Sequence, residues 1–159
     1  MAYAEKTEVA FEKSIAEIVA LLRRAGAAQI GQFDDVGFYA IQFVLAERLI
    51  RFRLPLPSID EMPSRDGRER LLTRDQRANR LEQARKQRAR ALLLVIKAKL
   101  ESVESQIETI EQAFLAHVVM ADGRTVHERI SEPIALEYQT GRPDPARGLL
   151  PPPNAREAT

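Results

Sequence analysis

No cysteine occurs in the 159 residues of this chain. That absence excludes a disulfide framework, thiolate zinc sites and a cysteine nucleophile, and it fits a reducing compartment such as the cytoplasm. Long apolar runs are missing as well. The longest, Ala91 to Ile96, falls far short of the roughly 20 residues that a membrane span needs. Met1 to Lys13 carries charges and no apolar stretch, so no signal peptide is expected. A P-loop, a dinucleotide fingerprint and a serine-centred elbow are all absent. These gaps point to a non-enzymatic cytoplasmic protein with no cofactor, no metal and no membrane partner.

Histidine is scarce too. His117 and His127 are the only two, ten residues apart across the Asp122-Gly123 turn. With Asp122 or Glu128 they would form a metal set, but a structural or surface role is the simpler reading. Asp34 or Asp35 followed by Glu47 resembles a nuclease carboxylate pair. That chemistry wants a lysine two residues after the glutamate, and position 49 is Leu, so nuclease activity is a minor alternative.

What the chain does have is a polarised charge. Hydrophobic residues make up 45% of it, enough for one core and one domain. The net charge of +1 conceals three blocks. Residues 1–64 sum to −2 and residues 100–159 to −5. Residues 65–99 hold twelve Lys and Arg against four Asp and Glu, and sum to +8.

Periodicity predicts an α+β fold: a strand, a helix, three antiparallel strands, then a long basic helix and further C-terminal helices. Thr7 to Phe11 alternates as a short strand. Ser14 with Glu17 has the spacing of a capping box, opening a helix that carries Ile15, Ile18, Val19 and Leu22 and stops at Gly26. Ala28–Phe33, Val36–Leu45 and Leu49–Leu56 read as strands. Tyr39, Ile41, Phe43 and Leu45 share one face, as do Ile50, Phe52, Leu54 and Leu56. Prolines 55, 57 and 63 mark a linker at about 57–72. A helix over 74–105 then presents Leu81, Ala84, Ala91, Leu92, Val95, Ile96, Leu100 and Val103 as an apolar stripe, which suits a core or a homodimer seam. Ile107, Ile110, Phe114, Leu115 and Val118 continue that helix or start a new one at Thr109. Thr125 with Glu128 caps a last helix to about Gln139, stopped by Gly141. The single domain is expected over 1–141, and the proline-rich tail 142–159 is expected to be extended or disordered.

Three segments carry a resemblance. They are Ala4 to Thr7 with Glu12 to Ser14, Ile50 to Pro57, and Arg90 to Glu101 followed by Phe114 to His117 and Asp122 to Val126. Together they resemble a group of small bacteriophage- and prophage-encoded proteins with no settled activity. Members of that group often carry a tryptophan where this chain has Ala89, so the resemblance implies no aromatic requirement in the basic helix.

The sharpest functional expectation rests on that helix. Arg74, Arg77, Arg80, Arg85, Lys86, Arg88 and Arg90, with Lys97 and Lys99, crowd one element. Successive helical turns rise about 5.4 Å, close to the spacing of phosphates along a strand, and arginine binds phosphate through a two-pronged fork. Arg51 and Arg53 share one strand face, with Phe38 as a candidate base-stacking partner. The reading is a nucleic-acid-binding accessory protein of phage or prophage origin. The competing readings are a solvated face paired with the acidic C-terminal region, and a protein-interaction module such as an anti-defence, host-takeover or minor assembly factor. Charge alone does not choose between DNA and RNA, or between single and double strands.

Overall fold

The computed structural model describes residues 7–142. Its elements are α1 (Phe11–Arg24), β1 (Ala28–Asp35), β2 (Phe38–Leu45), β3 (Arg48–Pro55), α2 (Arg74–Glu104), α3 (Ile110–Phe114) and α4 (Val126–Thr140), with short 3-10 turns at Ile59–Glu61 and Leu115–His117. The class is α+β as expected: one antiparallel sheet in the order β1-β2-β3, followed by the long helix α2. Among the described residues, no helix is long and apolar enough to cross a membrane.

The expected strand at Thr7–Phe11 does not form. Phe11 instead opens α1, and the helix has no side-chain cap at Ala10. Ser14, expected to cap it, sits one turn inside, fully buried, with its hydroxyl unpartnered. The reason is one of magnitude. Phe11 falls in register with Ile15, Ile18 and Leu22, all buried. Burying a phenylalanine gains about 2–3 kcal/mol, whereas a serine cap contributes about 1 kcal/mol.

Sheet register sorts the strands into two faces. Tyr39, Ile41, Phe43 and Leu45 point into the core with Ile50 and Phe52 beside them. The helices α1 and α2 cover that face and pack on each other. Phe114 of α3 seals one end, edge-on to Phe43 and to Phe52 at 6.2 Å each. On α2 the buried residues are Ala89, Leu92, Leu93 and Ile96. Ala91 and Val95, expected in the stripe, face out instead, because the buried set follows i, i+3, i+4, i+7 from Ala89. Ala89 being wholly buried, a larger side chain there would belong to the core and not to a binding surface.

Segment 57–72, expected as a linker, carries local structure. Ser58 and Glu61 cap its 3-10 turn, and Arg65 pairs with Leu71 across a turn held by Asp66. After α2 the chain breaks at Gln106 (φ 58°), and Thr109 caps α3 as a new helix. Ile107, expected on an apolar face, is exposed by that break. Val118 and Val119 then run antiparallel to the free edge of β3, and Val119 pairs with Thr125. The box at Thr125 and Glu128 starts α4, and Gly141, left-handed at φ 64°, ends it. The segment Ala4–Lys6 and the tail from Pro143 lie outside the described residues.

Candidate nucleic-acid interface

Of the nine cations expected on α2, the seven from Arg74 to Arg90 divide into two kinds. Four are tied into the fold. Arg77 donates to the carbonyls of Ile59 at 2.7 Å and Met62 at 3.4 Å, and so anchors the 59–61 turn. Arg85 lies 3.8 Å from Asp34 and 5.0 Å from the Phe11 ring centre. Arg88 donates to the Pro55 carbonyl at the end of β3. Arg90 pairs with Glu17 of α1 at 3.0 Å. These are intramolecular uses of charge, with acidic or carbonyl partners in the N-terminal half of the chain and not in the acidic C-terminal region.

Arg74, Arg80 and Lys86 have no hydrogen-bond or ion-pair partner among the described residues. They lie six residues apart in sequence, so at about 100° per residue they point in three directions about 120° from one another. A strip that tracks a phosphate backbone needs its charges on one side, and these do not supply it.

The other expected pair, Arg51 and Arg53, occupies the sheet face turned away from the core. Three rows of cross-strand partners pave it: Gly31–Gln42–Arg51, Phe33–Ala40–Arg53 and Asp35–Phe38–Pro55. Phe33 stands on the edge strand and is 52% exposed. The Arg53 guanidinium lies 4.1 Å from the centre of the Phe38 ring, a cation–π contact that holds the fork over the face. Arg51 donates one bond to the Gly123 carbonyl at 3.1 Å. Ala40 is the floor between Phe33 and Arg53. At about 4.8 Å per strand, the α-carbons of those two residues stand about 10 Å apart.

The C-terminal segment forms the opposite wall. Its pairing along the β3 edge brings Ala116, His117, Thr125, His127 and Glu128 alongside the sheet, leaving a groove of about 720 Å³. His117 stacks on Phe52 at 4.0 Å between ring centres. Burial holds its pKa below the usual histidine value, and the Lys99 charge adds to that. Glu128 is held below the usual carboxylate range by the Thr125 amide, which donates to it at 2.7 Å. The groove therefore offers one exposed aromatic ring, Phe33, and two guanidinium groups, while its one carboxylate is already engaged as a helix cap.

Among the described residues, no cluster of three or more His, Asp and Glu could hold a metal ion. Asp34 pairs with Tyr39 at one end of the hairpin, whereas Glu47 lies in the turn beyond Leu45 at the other. About 20 Å of strand separates them, too far for one carboxylate site.

Phe33 and Gln42 were not anticipated as site residues. Phe33 ends the strand expected at Ala28–Phe33, but only the register sets it beside Ala40 and Arg53. No protein-family model, curated protein or solved structure matches the chain.

Proposed function

We propose that this is a non-enzymatic nucleic-acid-binding accessory protein, in the phage or prophage setting that its segments resemble. In this reading it takes single-stranded nucleic acid on the open face of its sheet and not along α2. The observation that carries the reading is the row Phe33–Ala40–Arg53 beside the Arg53–Phe38 stack. Proteins that bind single strands combine a cationic groove with aromatic rings on which bases stack, and stacking is worth about 1–3 kcal/mol per base. A duplex hides its base faces, so Phe33 rewards only unstacked bases. The groove lies within the range of roughly 300–1,000 Å³ typical of ligand sites, and the Arg51 and Arg53 guanidinium groups that line it supply the charge such a site needs for phosphates.

The test is an anisotropy titration of labelled single-stranded and duplex DNA and RNA at two salt concentrations. Single strands should bind more tightly than duplexes of the same sequence, and the affinity should fall as salt rises. Absence of binding at low salt, or tighter binding to duplex, contradicts the proposal.

A protein-interaction role is the second reading. The observation favouring it is the exposure of Ile134 and Tyr138 on α4.

A further inference from the structure

Helix α4 has no buried residue, and within the chain it packs against the Leu115–His117 turn. Its sequence is nonetheless amphipathic. Ile130, Ile134 and Tyr138 recur every four residues on one side; Ile134 is 46% exposed and Tyr138 is 88% exposed. Helices of about 12–15 residues are marginal in water alone and depend on packing an apolar face. Pro133 sits inside α4 and deepens that dependence, because it removes one backbone hydrogen bond. The outer half of α4 thus presents an apolar stripe without a cover among the described residues.

A second surface left open among the described residues lies on α2, with Ala84 half-buried and Ala91, Val95 and Ala98 exposed. Opposite its buried set, Ala84, Ala91 and Ala98 repeat every seven residues with Val95 beside them, and Val95 is 45% exposed. Small side chains at this spacing admit close approach of another helix along a shallow seam. Arg80 extends the same side toward the N-terminus of α2 and has no ion-pair partner among the described residues.

Charge selects which surfaces meet. Beside the Ile130–Ile134–Tyr138 stripe the charged residue of α4 is Glu137, whereas Glu128 and Glu132 fall on the far side of the helix at about 100° per residue. Helix α2 carries nine Lys and Arg against four Asp and Glu, a net +5. Pairing α4 with α4, or α2 with α2, sets like charge on like across a two-fold axis. Pairing α4 with α2 sets opposite charges together and covers both apolar stripes. We infer that α4 of one chain docks on the outward face of α2 of a second copy, and that two such contacts close a two-fold dimer. The inference is independent of nucleic-acid binding, since it uses neither Phe33 nor the Arg51–Arg53 face.

Sedimentation equilibrium of the full chain, from about 1 µM to about 100 µM, tests it. A dimer is expected, and a monomer at the highest concentration overturns the inference. The double variant Ile134→Asp, Tyr138→Asp alters only exposed positions and should sediment as a monomer with the sheet and α1–α2 intact by circular dichroism. A dimer that survives those two changes overturns the role of α4. Glu137→Lys should weaken the dimer at least tenfold, and Arg80→Glu in the same chain should restore it. Weakening without restoration overturns α2 as the receiving surface.

Discussion

Arg90 of α2 and Glu17 of α1 meet at 3.0 Å, and neither side chain is fully open to solvent. The pair joins the two helices that cover the sheet, so part of the charge that makes α2 look like a nucleic-acid surface is spent inside the molecule. Because both groups remain partly hydrated, Arg90→Gln should cost only about 0.5–1 kcal/mol in urea denaturation, with a similar coupling to Glu17→Gln in a double-mutant cycle. A cost near that of a buried pair, about 3–5 kcal/mol, would show that water is excluded there.

Arg77 and Arg80 separate anchoring from free charge on one helix. Arg77→Gln removes the donor to Ile59 and Met62 and should destabilise by about 1–3 kcal/mol. Arg80→Gln touches no hydrogen-bond or ion-pair partner among the described residues and should stay within about 0.5 kcal/mol of wild type as a monomer. Replacing Arg77, Arg80, Arg85 and Arg88 together, which charge pattern alone treats as harmless to the fold, should therefore lower the thermal midpoint. Equal stability of the two single variants contradicts this division.

Elements whose signals are local were legible in the sequence. Thr109 and Thr125 each cap a helix through bonds to a residue three positions on. Ser14 and Glu17 have the same spacing, yet Ser14 lies inside α1, because the burial of Phe11 depends on Tyr39 far along the chain. The candidate site divides in the same way. Alternation along β3 put Arg51 and Arg53 together, whereas placing Phe33 beside them needed the β1–β2 register. The groove wall was not legible at all. It rests on the pairing of Ile50 with Val118 and of Val119 with Thr125, which no periodicity announces. Nor does any local pattern reveal that Arg77 and Arg88 end on backbone carbonyls 18 and 33 residues away.

The β2–β3 hairpin stores strain at a two-residue loop. Ala46 and Glu47 hold φ of 48° and 60°, a left-handed pair that the hairpin twist favours and that Asn-Gly fills most easily. A non-glycine residue there costs about 1–2 kcal/mol. The double replacement Ala46→Asn, Glu47→Gly should raise stability by roughly 1 kcal/mol in chemical denaturation. A loss of stability would contradict this turn geometry.

Stability should depend on pH through His117. Its folded pKa lies below the usual 6.5, so the unfolded chain takes up a proton first. The stabilisation is whole above pH 6.5 and is lost as pH falls below that value. Asp122 and Glu128, also held low, lose their contributions only below their ordinary values of 3.8 and 4.5. Between about pH 5 and 7 the thermal midpoint should therefore rise with pH in wild type and flatten in His117→Gln. A slope that persists in the variant contradicts the assignment.

The sheet face is tested most directly by Phe33→Ala, read as the affinity for a labelled single-stranded oligonucleotide. Phe33 is 52% exposed on an edge strand, so the thermal midpoint should change little. If bases stack on it, affinity should fall by about 1–3 kcal/mol, roughly fivefold to 150-fold, with the salt dependence kept because Arg51 and Arg53 remain. Unchanged affinity in Phe33→Ala, in a protein that does bind single strands, would contradict the account.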